Sequence, residues 1–233
     1  MKLARRSSGR GLMRRLVRLA GRAAALALIA AVALVLVYRV VNPPVTVLML
    51  QEWWRLGAIE REWVGLGEMA ETLPLSAAAA EDANFCRHRG FDLDGIRAAL
   101  EDEGRLRGGS SISQQVAKNV FLWPGRSWLR KGLEAGFTIL IEQFWPKRRI
   151  IEVYLNVAEM GEGVFGVEAA SRLYWQVPAS ELGPQRSARL MAVLPDPRDR
   201  SPVSGSAYIA RRGAAIESGA ATIRADGRAG CFL

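Results

Sequence analysis

The residue with the clearest setting for acid–base chemistry is Glu81. It follows Ala77–Ala80, an apolar run that would end a helix and leave the carboxylate partly buried. Partial burial raises the pKa of a carboxyl group, as a base that takes a proton from a hydroxyl near neutral pH requires. Considered alone, Glu81 would more commonly be a surface acid paired with Arg87 or Arg89, so its role depends on the surrounding motifs.

Cationic and hydroxyl side chains between residues 110 and 131 favour a phosphate-like ligand. The cations are Lys118, Arg126, Arg130 and Lys131, and the hydroxyl and amide donors are Ser110, Ser111, Ser113 and Gln115. Guanidinium and ammonium groups suit phosphate oxygens, and the N–H groups at a helix start bind anions. The alternative is a solvated basic face, and we expect at least one of the four cations to be part of such a face. Glu134 lies four residues after Arg130, so it could equally form an ordinary intrahelical ion pair.

Other patterns that could carry chemistry are weaker. His88 is the only histidine and is expected to stabilise a helix end rather than to shuttle protons. The glycines of Gly161–Gly166 match a dinucleotide-binding fingerprint, but they follow a predicted helix instead of a strand. We therefore expect these glycines to let the backbone approach a sugar or a neighbouring helix closely. Cys86 and Cys231 cannot form a convincing zinc site with one histidine, and the sequence leaves open whether they pair in a disulfide.

Five local patterns, in order and at similar spacing, resemble the peptidoglycan glycosyltransferases. They are EDANFCRHRG at 81–90, GGSSISQQVAKN at 108–119, RKGLE at 130–134, KRRIIEVYLN at 147–156 and GEGVFG at 161–166, which leads to Ala169, Ala170 and Tyr174. The resemblance covers essentially all of residues 45–200. The chain has serine at 111 and 113, where the family commonly has threonine, and the hydroxyl is retained in both places.

This resemblance implies an inverting glycosyltransferase with a lysozyme-like α fold. Such an enzyme polymerises a lipid-linked disaccharide-pentapeptide (lipid II) into β-1,4 glycan strands and releases undecaprenyl diphosphate. Glu81 matches the general base of the family, and Glu134 matches a second acid that helps at the donor diphosphate. Asn119 joins the diphosphate-binding donors and cations named above. The resemblance also leaves room for a divalent cation, Mg²⁺ or Mn²⁺, at the diphosphate, without requiring one.

The same resemblance implies a set of structural supports for the active site. They are Asp82, Phe85, His88, Gly90, Glu152, Tyr154, Asn156 and Gly166. Two other functions are alternatives to this one. A glycan-cleaving hydrolase or lytic transglycosylase shares the lysozyme-like fold but lacks the GGSSISQQ and RKGLE patterns. A non-catalytic scaffold of the wall-building machinery would be favoured by loss of Glu81 or Glu134, and both are present.

The basic excess of the chain is confined to its N-terminus. The formal net charge is +9, and residues 1–22 carry eight basic and no acidic side chains, which argues against a nucleic-acid-binding domain. Ala23–Tyr38 is uncharged and predicts a single transmembrane helix over 23–41, with Arg22 and Arg39 reaching the two interfaces. No small-x-small site follows, so we expect an uncleaved anchor in a bacterial inner membrane, with a cytoplasmic tail and a periplasmic catalytic domain.

The rest of the chain predicts a mainly α fold. We expect a membrane-proximal connecting region at 42–75, a glycosyltransferase core at 76–204 and a C-terminal helical extension at 205–233. Helices are predicted over 77–85 with Ser76 as N-cap, 91–103, 111–121, 127–144, 146–157, from 167, and over 182–194. Residues 121–129 are expected to contact lipid and most of 133–144 to form core. The end at Leu233 leaves no room for a transpeptidase, and the expected partners are lipid II, membrane lipid and proteins of a wall-building complex.

Overall fold

The N-terminal apolar segment forms one long helix. In the computed structural model, which describes residues 8–92 and 109–233, helix α1 spans Ser8–Tyr38 and belongs to a unit that ends at Val41. Its section Met13–Tyr38 is long and apolar enough to cross a membrane. These 26 residues extend about 39 Å, more than the hydrocarbon core of about 30 Å. The helix therefore begins earlier than the predicted span, and it ends three residues before Val41.

Helices also dominate the second unit, residues 42–233. In chain order its elements are α2 (Val47–Leu56), β1 (Glu60–Arg61), α3 (Thr72–Glu81), α4 (Ile112–Phe121), α5 (Trp128–Phe144), α6 (Lys147–Val157), β2 (Glu159–Gly161), β3 (Val164–Phe165), α7 (Val167–Trp175), a 3₁₀ turn (Ala179–Glu181), α8 (Pro184–Met191) and α9 (Ala207–Ala225). The predicted mainly α class is confirmed. The helix predicted over 91–103 lies almost entirely outside the described residues, and Phe91 and Asp92 are not helical.

Local capping signals account for the starts of the central helices. The Ser111 hydroxyl accepts from the Gln114 N–H, and the Gln114 side chain accepts from the Ser111 N–H, which forms a capping box at the start of α4. Ser127 caps α5, and Pro146 precedes α6. The predicted cap at Ser76 is wrong, because this buried residue lies inside α3.

Tertiary packing explains the earlier start of α3. Leu73, Pro74 and Leu75 in its first turns are buried, and the Thr72 hydroxyl donates to the Leu182 carbonyl at 2.8 Å. Proline is tolerated there because the first N–H groups of a helix have no intrahelical partner. The helix that carries Glu81 is therefore fixed at its start by contacts far along the chain.

The core forms around α3 and α6. Helix α3 packs against α6, α8 and α9, and α4 packs against α5 and α6. Almost every side of α6 is enclosed, with Ile150, Ile151, Val153 and Leu155 fully buried. Residues 42–75 contribute both buried residues, such as Met49, and exposed ones: Trp53 and Trp54 are 52% and 85% exposed.

The prediction that most of 133–144 forms core is wrong. The buried residues of α5 are Arg130, Glu134, Thr138 and Ile141, which lie on one face at helical spacing, while Leu133 and Ile139 are exposed. The two charged residues of this buried face, Arg130 and Glu134, line the cleft described below. Helix α8 is also shorter than the predicted 182–194.

A small sheet was not predicted from the sequence. Strand β3 lies in the middle, parallel to β1 and antiparallel to β2, with Glu60 opposite Val164 and Glu159 opposite Phe165. Directly after β3, Gly166 has a φ of +85°, and a Cβ there would lie 3.0 Å from the Asn156 carbonyl oxygen. Gly166 thus makes the close approach to a helix, α6, that the glycine pattern predicts.

Candidate active site

A cleft of about 480 Å³ is lined by α4, α5 and the loop that joins them. It brings together eight of the predicted site residues: Ser110, Gln115, Lys118, Asn119, Arg126, Arg130, Lys131 and Glu134. The four predicted cations thus share one cavity, as a diphosphate site requires. Arg126 and Lys131 are exposed, while Arg130 is buried.

Ser111 and Ser113 do not line this cleft, although both were predicted to bind substrate. The Ser111 hydroxyl donates to the Gly90 carbonyl oxygen and caps α4. Ser113 is fully buried and donates its hydroxyl to Glu142. Both hydroxyls are therefore used within the protein, where they join α4 to the segment after Glu81 and to α5.

Glu134 is buried between two cations of its own helix. Its Oε2 accepts from Arg130 Nη1 at 2.9 Å, and its Oε1 accepts from Lys131 Nζ. The ion pair that the i,i+4 spacing allows is therefore formed, but in a buried cleft wall rather than at the surface. A divalent cation needs free oxygen ligands, and both oxygens of Glu134 already face cations, so these residues do not fit one.

Lys118 is influenced by both candidate acids. Its side chain keeps exposed surface in the cleft, but the protein packed around its ammonium removes enough water to lower the pKa. The negative charges of Glu134 and Glu81 oppose this shift, whereas Arg130 and Lys131 add to it. The charge of Lys118 thus interacts with Glu134 and Glu81, the two carboxylates that the sequence predicts to be catalytic.

Glu81 ends α3 with its side chain 18% exposed. Gln115 Nε2 donates to Glu81 Oε2 at 2.8 Å, and Arg212 Nη2 lies 3.9 Å from Oε1. Within the described residues, its ion pair is with Arg212 and not with Arg87 or Arg89, the partners of the surface-acid alternative. Because Gln115 also lines the cleft, one side chain joins the candidate base to the candidate diphosphate site.

The buried phenol of Tyr154 lies near Glu81 and Asp82, the two acids at the end of α3. Tyr154 is fully buried, and its hydroxyl has no hydrogen-bond partner among the described residues. Burial, reinforced by the charges of Glu81 and Asp82, holds the pKa of Tyr154 well above its usual value. The phenol therefore stays neutral and adds no negative charge beside Glu81.

The segment after Glu81 is held by a chain of hydrogen bonds. Asp82 Oδ1 lies 2.7 Å from His88 Nε2, and Asp82 Oδ2 accepts from the Ile112 N–H at 3.1 Å. The Gly90 N–H donates to His88 Nδ1, so the proton of the neutral ring is on Nε2 and points to Asp82. Asp92 approaches this pair, but both nitrogens of His88 are engaged, which does not suit a metal ligand.

Other residues predicted to support the site make hydrogen bonds or close contacts around it. The Asn156 side chain exchanges two hydrogen bonds of 2.9 Å with the Val64 backbone, and Glu152 accepts from the Leu66 N–H. Phe85 is buried beneath the Lys147 ammonium, which lies 4.3 Å from its ring centre. A Cβ at Gly90 would lie 2.6 Å from the Thr138 side chain, so this turn packs directly on α5.

Comparison with known proteins identifies the family of this chain. A family model described as Transglycosylase matches residues 49–220. The chain belongs to this family. Its membership confirms the family predicted from the five motifs, together with the lysozyme-like fold and the glycosyltransferase activity.

Curated relatives match over most of their own length. A "Biosynthetic peptidoglycan transglycosylase" of Jannaschia sp. (strain CCS1) is 53% identical over 198 residues, which cover 85% of this chain and 82% of the relative. A protein of the same name from Rhodospirillum centenum (strain ATCC 51521 / SW) is 50% identical over 224 residues, covering 94% and 96%. One from Caulobacter vibrioides (strain ATCC 19089 / CIP 103742 / CB 15) is 48% identical over 200 residues, covering 84% and 87%.

Three features of this transglycosylase site were missed by sequence reasoning. Glu142 lies two helical turns after Glu134 on the same face of α5, a spacing that could have indicated it, and it binds Lys147 at 2.7 Å. Arg212 has no local signal, because it reaches Glu81 from the C-terminal helix. The pairing of Cys86 with Cys231, left open by the sequence, is formed as a disulfide.

Proposed function

We propose that this chain polymerises lipid II into the β-1,4 glycan strands of peptidoglycan, with undecaprenyl diphosphate as the leaving group. Family membership and the names of the relatives, biosynthetic peptidoglycan transglycosylases, support this substrate. The observation that carries the mechanism is the 2.8 Å contact of Gln115 with Glu81, which places a partly exposed carboxylate beside the cation-lined cleft.

In the proposed reaction, Glu81 acts as general base. Its carboxylate takes the proton of the 4-hydroxyl of the incoming disaccharide, and that oxygen forms a bond to the anomeric carbon of the growing strand. The bond from this carbon to the diphosphate oxygen breaks, and the leaving group takes the electron pair. Attack from the face opposite the diphosphate inverts the anomeric centre. The hydroxyl is a poor nucleophile, and removing its proton in the transition state contributes on the order of 10²–10⁴-fold.

The cations of the cleft receive the charge that develops on the diphosphate. Lys118, Arg126 and Arg130 line the same cavity as the amide donors of Gln115 and Asn119. Fixed donors aimed at developing charge stabilise a transition state without reorganising during the reaction. Glu134 acts by holding Arg130 and Lys131 in place rather than by transferring a proton.

We further propose that α1 anchors the chain in a bacterial inner membrane with residues 42–233 in the periplasm. The eight basic residues before the anchor favour a cytoplasmic N-terminus. The Cys86–Cys231 disulfide supports the same orientation, since such bonds persist in oxidising compartments. Trp123, Trp128 and Leu129 are 44%, 94% and 70% exposed, and the first of them lines the cleft, where a lipid tail would enter.

The test is a polymerisation assay with purified full-length protein and lipid II. We expect long glycan strands from the wild type and a loss of at least about 100-fold in rate for Glu81→Gln. Glu181→Gln, which changes an exposed acid on the 3₁₀ turn, is the matched control and should keep the wild-type rate. Equal polymerisation by Glu81→Gln would remove its assignment as base, and release of soluble fragments from finished peptidoglycan would indicate a hydrolase instead.

A further inference from the structure

The C-terminal helix α9 brings an arginine to the candidate base. Arg212 Nη2 lies 3.9 Å from Glu81 Oε1 and donates to the Ala80 carbonyl oxygen at 3.4 Å, although 132 residues separate Arg212 from Ala80. The two side chains are 34% and 18% exposed, so the pair is partly shielded from water. Among the described residues, this is the ion pair that Glu81 makes.

We propose that Arg212 is a positioning residue for glycosyl transfer, which holds the Glu81 carboxylate so that its free oxygen faces the acceptor hydroxyl. The inference rests on the proposed role of Glu81 as base. Arg212 acts through Glu81 and does not line the cleft, so it is not assigned a contact with substrate.

The two oxygens of Glu81 are held in different ways. Oε2 accepts a full hydrogen bond from Gln115 at 2.8 Å. Oε1 is attracted by Arg212, but 3.9 Å is longer than a hydrogen bond, so its lone pairs remain available to a substrate hydroxyl. One oxygen thus fixes the orientation of the carboxylate while the other is left for the proton transfer.

The position of the guanidinium is set by the packing of α9 on the core. Ile209, Ile216 and Ile223 are buried on one side of this helix, and a Cβ at Gly219 would touch the Ala79 side chain in α3. Arg212 Nε is buried and has no hydrogen-bond partner among the described residues. Among the described residues, Glu81 is the carboxylate that the guanidinium faces.

Several charges act on Glu81, and Arg212 is the closest. Lys118 on α4 contributes a second positive charge, while Asp82 adds a negative charge and Tyr154 on α6 stays neutral. A positive charge at this distance attracts the carboxylate and holds Oε1 in one orientation. Removing the charge should let the Glu81 carboxylate turn about its contact with Gln115, so the enzyme would lose kcat.

The experiment compares kcat and KM for lipid II among four full-length proteins. The proteins are the wild type, Arg212→Gln, Arg212→Lys and Arg211→Gln. Arg211 is the exposed neighbour on the same helix and serves as the control for net charge. Thermal unfolding of each protein reports whether the substitution disturbs the fold, and Arg212→Met replaces Arg212→Gln if the latter does not fold.

For Arg212→Gln we expect kcat to fall by roughly 10- to 100-fold, because a small misplacement of the base costs rate, while KM for lipid II stays close to the wild-type value. Arg212→Lys should recover most of kcat, and Arg211→Gln should match the wild type. An unchanged kcat in folded Arg212→Gln, or an equal loss in Arg211→Gln or Arg212→Lys, would overturn the inference. An active Glu81→Gln variant, measured alongside, would instead show that the base itself is wrongly assigned.

Discussion

Lys118 differs from the arginines of the cleft because its ammonium loses its proton at a lower pH than a guanidinium does. Desolvation lowers the pKa of its ammonium, so on the alkaline side this cation is lost at lower pH than an ordinary lysine charge. A guanidinium in the same place stays charged throughout. We predict that the wild type loses kcat/KM at alkaline pH and that Lys118→Arg shifts this loss to higher pH.

The measurement is the alkaline limb of kcat/KM against pH, with each curve scaled to its own maximum. Lys131→Arg is the control, since it changes a lysine of the same cleft that is already paired with Glu134. Its alkaline limb should coincide with that of the wild type. Superimposable limbs for Lys118→Arg and the wild type would mean that Lys118 does not supply the titrating charge.

The Glu134 cluster combines a buried acid with two cations of the same helix. Glu134 is 3% exposed, and Arg130 beside it is 8% exposed. Removing one member of a buried ion pair leaves an uncompensated charge, which costs far more than the pair itself contributes. The carboxylate thus allows two cations to be held at fixed positions in the cleft that we propose receives the diphosphate.

At the scale of elements, prediction from the sequence succeeded where the signal is local. Helices α4, α5 and α6 follow from the caps at Ser111 and Ser127 and from Pro146, which act within one turn of the chain. Helix α3 begins before its predicted cap because distant contacts stabilise its first turn. The strands were missed because two or three residues are too few to show an alternating pattern.

The turn into α7 depends on one glycine. Gly166 has a φ of +85° and a ψ of 160°, a backbone region open essentially to glycine alone, and its Cα faces the Asn156 backbone of α6. We predict that Gly166→Ala lowers the free energy of unfolding by roughly 1–3 kcal/mol, because the added Cβ is strained and meets backbone that cannot move aside. Denaturant unfolding monitored by circular dichroism measures the change.

Gly136→Ala provides the control for that substitution. Gly136 lies inside α5 with open space around its Cα, so alanine there should stabilise the helix by roughly 0.5–1 kcal/mol. The two variants make the same chemical change with opposite expected signs. A stability for Gly166→Ala equal to or above that of the wild type would contradict the close approach.

At the scale of the molecule, the C-terminal segment packs on the segment that follows Glu81. Cys231 is bonded to Cys86, the Phe232 ring lies 6.0 Å from that of Phe85, and Arg228 donates to the Ala83 carbonyl oxygen. The sequence predicted a helical extension at the C-terminus, but it predicted none of these contacts with Cys86, Phe85 and Ala83. Residues 145 positions apart are brought together by the whole fold, so no local pattern could indicate it.

The disulfide should therefore support the whole unit and not the C-terminus alone. It closes a loop with a sequence separation of 145, and cross-linking so long a loop restricts the unfolded chain strongly. We predict that the double variant Cys86→Ser/Cys231→Ser loses about 2–5 kcal/mol of stability. Thermal unfolding of the full chain in detergent, with and without a thiol reductant, measures it. Reductant should lower the Tm of the wild type toward that of the double variant and leave the double variant unchanged. A double variant as stable as the oxidised wild type would show that packing of Phe232 and Arg228 holds the segment without the covalent bond.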